Sequence, residues 1–69
     1  MTREEWIGDL ARRLGVEPPR EEEIEALLEL ARVAAHSSER TAAPLACWLG
    51  GLSGESPERL KQIAGEIGE

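Results

Sequence analysis

Apolar positions recur at helical spacing in four segments of the chain, and breakers separate the segments. Trp6, Ile7, Leu10 and Leu14 fall on one side of a helix opened by Thr2. Glu5, three residues after Thr2, completes a capping box in which each side chain serves the other residue's amide. Gly15 stands where left-handed backbone ends such a helix, and Val16 follows to pack back on the last turn. Glu17-Pro18-Pro19-Arg20 is a stiff connector, because a residue before proline is pushed out of the helical region. A second helix begins between Pro19 and Glu21 and runs to about His36. Glu21, Glu22 and Glu23 occupy its first turn, where the helix dipole favours negative charge. Ile24, Leu27, Leu28, Ala31, Ala34 and Ala35 form its apolar face, with Leu30 at the edge and Val33 pointing away. This surface is broader than one neighbour needs, which predicts a central helix or a partner contact.

His36-Ser37-Ser38-Glu39-Arg40 is a polar break. Thr41 is placed to cap a third helix that tolerates Pro44 in its first turn. Leu45, Trp48, Leu49 and Leu52 make a strong face, and Ala42, Ala43, Ala46 and Cys47 leave the rest almost without polar groups. A helix apolar nearly all round is expected to be buried on most sides. Gly50 and Gly51 either let another helix approach closely or end this one early. After a turn at Ser53-Gly54-Glu55, Ser56-Pro57-Glu58 marks the fourth start: a serine cap, proline at the first helical position, then an acid. Leu60, Ile63, Ala64 and Ile67 give the fourth helix its stripe. Gly65 weakens it by about 1 kcal/mol relative to alanine, and Gly68 is placed to end it. No stretch shows strand alternation. The pattern predicts one all-α domain over residues 1–69, a compact bundle of four short helices packed around a central apolar third helix.

Length and charge narrow what such a bundle can do. At 69 residues the chain forms one domain. A domain of that size buries only about 60% of its unfolded surface. Eight basic against 14 acidic residues give a net charge of -6. Backbone-directed nucleic-acid binding needs clustered cations, and an anionic membrane surface needs the same, so neither is expected. Cys47 is the single cysteine, which excludes an intrachain disulfide and a thiolate zinc site. Met1-Thr2-Arg3-Glu4-Glu5 is charged and leads straight into a helix, unlike a signal peptide. The longest stretch free of charge or strong polarity, Ala42 to Leu52, falls well short of the ~20 residues of a membrane span. A cytoplasmic location is expected.

Few residues are candidates for chemistry. His36, Arg40 and Thr41 form a hypothetical anion site, in which both cations flank free backbone amides of Thr41, Ala42 and Ala43 at the positive end of the third helix. The alternative is that His36 caps the second helix and Arg40 pairs with an acid such as Glu39 or Glu29. Cys47 lies mid-helix in an apolar segment, where a free thiol behaves as a small hydrophobe rather than a nucleophile. The carboxylates follow solvated helix faces, and no metal-ligand spacing such as H-E-x-x-H occurs. No catalytic residue, metal or cofactor is therefore expected, and the chain reads as non-enzymatic. Trp48 is expected in the core, whereas Trp6, Leu30 and Val33 are the candidates for an interface, including one between two copies of the chain.

The central segment resembles a known family. Leu30-Ala31-Arg32-Val33-Ala34-Ala35-His36 is followed by Arg40-Thr41-Ala42-Ala43-Pro44-Leu45 and by Trp48-Leu49-Gly50-Gly51-Leu52. Together with the N-terminal Trp helix and the Gly-Val-Pro linker, this layout is similar to small actinobacterial-type helical domains of unknown function. Cys47-Trp48 departs from that pattern, where small polar and Phe-like residues are expected, so Cys47 inherits no role. Members of that family occur beside, or fused behind, proteins that look like molybdenum cofactor guanylyltransferases. The resemblance therefore implies an accessory module of molybdenum cofactor (molybdopterin guanine dinucleotide) biosynthesis or delivery. Its partner would be a guanylyltransferase-like protein or a molybdoenzyme chaperone. The alternative reading is a generic helical interaction or dimerisation domain with no ligand.

Overall fold

Thr2 opens α1 (Arg3–Leu14) as its sequence predicts. The Thr2 hydroxyl accepts from the Glu5 amide at 3.1 Å, and the Glu5 carboxylate accepts from the Thr2 amide at 2.7 Å. At the other end Gly15 takes φ 72°, which only a residue without a Cβ adopts freely. The Val16 amide then reaches back to the Ala11 carbonyl at 3.0 Å, and the Gly15 amide to Arg12 at 3.2 Å. This pair of bonds is a Schellman closure. The computed structural model describes residues 1–67 and adds α2 (Glu21–Ser37), α3 (Ala42–Ser53) and α4 (Pro57–Glu66). The predicted end at Gly68 lies outside the described residues, and Ile67 is the C-cap of α4.

All four helices stand where the apolar pattern placed them, and the domain is all-α among the described residues. The hub is a different helix from the one expected. α2 packs against both α3 and α4, and no other pair of helices packs extensively. The breadth of its apolar surface anticipated a central position. The phase is rotated from the expected one: Ala26 and Leu30 are buried, while Leu28 is exposed. α2 carries two apolar sides. Ala26, Leu30 and Ala34 turn inward, and Ile24, Leu27 and Leu28 line a separate open cleft of about 400 Å³ toward Ile7 and Gly8 of α1. Leu30, expected at an interface edge, is instead 5% exposed.

α3 is not buried on most sides. It runs unbroken through Gly50 and Gly51 to Ser53, where Gly54 at φ 74° ends it. Gly50 is buried because α4 lies against it: an added Cβ would come within 2.6 Å of Leu60 Cδ1. Gly51 faces open space. So the first glycine permits a close approach, and neither breaks the helix.

Charge contributes little to this packing. Every ion pair among the described residues spans four positions or fewer, from Arg12–Asp9 to Lys61–Glu58. The side-chain hydrogen bonds are equally local. Such surface pairs contribute little each. Among the described residues the helices are therefore joined mainly by apolar contact. The radius of gyration, 12.5 Å, slightly exceeds the roughly 11 Å typical of this chain length.

Candidate functional site

The turn between α2 and α3 holds the three residues of the expected anion site, and it is built differently from that expectation. Ser38, not His36, closes α2: its hydroxyl and its amide both donate to the Ala34 carbonyl, at 3.1 and 3.2 Å. His36, Arg40 and Thr41 are all exposed, and none makes a side-chain hydrogen bond or ion pair with another described residue. Glu29 is not available to Arg40 in any case. It accepts from Arg32, at 3.0 Å for Nε, and that hydrogen bond, aided by the charges of Arg32 and of Lys61 on α4, holds its carboxyl below the ordinary range. Thr41 does not cap α3. It sits in helical conformation with no side-chain bond to the helix. The Ala42 amide donates to the Glu39 carbonyl at 2.9 Å and the Ala43 amide to Arg40 at 3.2 Å. Two of the three amides expected free for an anion are thus used inside a tight turn.

The feature that stands out lies one turn further along. Leu45, Trp48, Leu49 and Leu52 occupy positions i, i+3, i+4 and i+7 of α3, so they share a face. Each is 63–67% exposed. Trp48, expected in the core, is therefore on the surface. The reason is geometric: α2 and α4 cover the Ala46 and Gly50 side of α3, and the remaining helix, α1, does not reach across to its far side. Beside that face runs an open cleft of about 590 Å³. Leu30, Val33 and Ala34 of α2 form its floor, with Leu45 and Leu49 on one wall and Ile63 and Ile67 on the other. Among the described residues Glu55 is the one charged residue lining it, and that carboxylate faces Arg59 Nε at 3.9 Å. Two of the three residues expected at an interface, Leu30 and Val33, do meet here. Trp6 does not. It stands on α1, 56% exposed, and lines neither cleft.

Cys47 is half-buried in α3, and no group of three or more possible metal ligands occurs among the described residues. No described helix is long and apolar enough to cross a membrane. The apolar period of α3 was legible in the sequence. That its face stays open was not, since periodicity shows that a face needs covering and is silent on what covers it.

No curated protein and no solved structure matches the chain. The family described as Domain of unknown function (DUF6457) matches residues 1–67, and with nearly the whole length covered the chain belongs to that family.

Proposed function

We propose that this domain is a non-enzymatic protein-interaction module, and that the open face of α3 with the adjoining cleft is where its partner docks. The observation that carries this reading is the imbalance of the fold. Ala11, Ala26 and Leu30 are its buried apolar residues, while Leu45, Trp48, Leu49, Leu52 and Ile67 are exposed. Soluble domains rarely leave a contiguous apolar patch of this kind uncovered, and such patches mark interaction sites. A tryptophan at the middle of the patch is the residue type that most often dominates binding energy.

The resemblance supplies one partner class: a guanylyltransferase-like protein of molybdenum cofactor biosynthesis, or a molybdoenzyme chaperone. That assignment rests on the resemblance alone. The test is capture from the native host with the parent chain, with Trp48→Glu, and with Leu28→Glu, whose side chain is exposed toward α1. Trp48→Glu is expected to lose proteins that the parent and Leu28→Glu both retain. Identical sets from all three would reject the α3 face as the docking surface. Recovery of proteins unrelated to molybdenum cofactor metabolism would reject the partner class.

A further inference from the structure

We infer that the occupant of the α3 face is a second copy of this chain, held by antiparallel packing of α3 on α3 about a two-fold axis; the inference rests on reading this face as a docking surface. The spacing of the exposed residues is self-complementary. Leu45, Trp48, Leu49 and Leu52 are symmetric about the point between Trp48 and Leu49. An antiparallel crossing there sets Leu45 against Leu52 of the second copy and Trp48 against its Leu49, with each contact made twice. An isologous interface requires that property.

Charge favours a copy over a cationic partner. A chain of net charge -6 repels itself at long range. Yet α3 carries no Asp, Glu, Lys or Arg anywhere from Thr41 to Gly54. The acids gather elsewhere, notably Glu21, Glu22, Glu23 and Glu25 at the start of α2. Two copies meeting on α3 therefore place no charged side chain of that helix in the contact. A basic helix would find few acids along the cleft, because among the described residues Glu55 alone lines it and already faces Arg59.

The area is also in range. Side chains of these types cover on the order of 100–200 Å² each. At their observed exposure the four α3 residues offer roughly 260–520 Å² of apolar surface per copy. Interfaces of this kind are about 65% apolar, so two such faces imply roughly 800–1,600 Å² in total. That range reaches the size of a standard stable interface.

The experiment is sedimentation velocity of the whole chain from about 1 μM to about 1 mM, at low salt and at about 0.5 M salt. The mass is expected to rise from 7.6 kDa toward twice that value. Added salt screens the repulsion between copies and should tighten the dimer. Trp48→Glu and Leu49→Arg should each raise its Kd by about 30-fold or more, while Leu28→Glu leaves it unchanged. Circular dichroism confirms that each variant keeps its helices. A chain that stays monomeric throughout overturns the inference, as does a dimer that salt dissolves or that both α3 variants leave intact. If the chain is monomeric but Trp48-dependent capture of another protein persists, self-docking falls and the docking face stands. If both vanish, the docking face falls as well.

Discussion

Gly50 and Gly51 are neighbours in one helix, have the same intrinsic cost there, and differ only in what lies beyond them. Replacing either by alanine gains about 1 kcal/mol of helix propensity. At Gly51 the new methyl meets nothing within 4 Å. At Gly50 it would sit 2.6 Å from Leu60 Cδ1 and 3.5 Å from Cδ2. Carbon atoms pack best at about 3.5–4.0 Å, so Leu60 must give way by about 1 Å. Overpacking of this kind costs about 1–3 kcal/mol, and a half-buried leucine end that can rotate lies at the lower part of that range. Gly51→Ala is therefore expected to stabilise by about 1 kcal/mol, and Gly50→Ala to be neutral or destabilising by up to about 1 kcal/mol. The difference between the two variants, about 1–2 kcal/mol, cancels propensity and isolates the α3–α4 contact. Thermal and urea unfolding followed at 222 nm would read it, with Tm separated by about 4–8 °C per kcal/mol. Both variants are compared at one protein concentration, since self-association raises Tm by mass action. Adding Leu60→Ala to Gly50→Ala should recover at least about 0.5 kcal/mol relative to additivity. Equal stability of Gly50→Ala and Gly51→Ala would refute the close approach of α4 to α3.

Three further outcomes follow from the same structure. Gly15→Ala forces a Cβ into φ 72° and should cost about 1–2 kcal/mol at the end of α1; because α1 packs little on the other helices, amide exchange within α1 should quicken far more than exchange in α2. Glu23 is held below its ordinary value of 4.5 by the Arg20 amide and then by the Arg20 guanidinium, so its contribution is full above about pH 4.5 and is lost as pH falls through the lower folded value; urea midpoints should drop between pH 5.5 and 3.5, less steeply in Glu23→Gln, and equal slopes would exclude a role for this cap. A titration with inorganic phosphate should leave the Ala42 and Ala43 amide resonances without a saturable shift, because both protons already bond to carbonyls; a saturable shift abolished by Arg40→Ala would restore His36, Arg40 and Thr41 as an anion site.

The ends of the helices were the most legible part of the fold. Thr2 with Glu5, Gly15 with Val16, and Ser56 with Pro57 all act within a few residues of themselves, so the sequence contains every atom of each motif. Thr41 had the right residue type for a cap and did not become one. The backbone of Glu39 and Arg40 already receives the amides at that turn, which leaves its hydroxyl nothing to close. Within the candidate site, the sequence points to Leu30 and Val33, which do line the cleft, while its apolar period places Trp48 in the core and the structure puts it at the middle of the exposed face. Strong apolar periodicity marked α3 as a helix that needs cover. Only the neighbours decide how much of it receives that cover.

The sequence alone determined four helices, most of their ends, an acidic composition and an apolar third segment free of charged side chains. Each of these depends on contacts three or four residues apart or on a count. The tertiary structure decided that α2 is the hub, that Gly50 rather than Gly51 admits α4, and that the strongest apolar face points outward. The physical reason is supply. Three helices of 10–17 residues cannot surround a fourth when one of them, α1, packs little on the others. Hydrophobic pattern fixes which faces must be covered, and chain length and topology fix which of them the chain itself can cover.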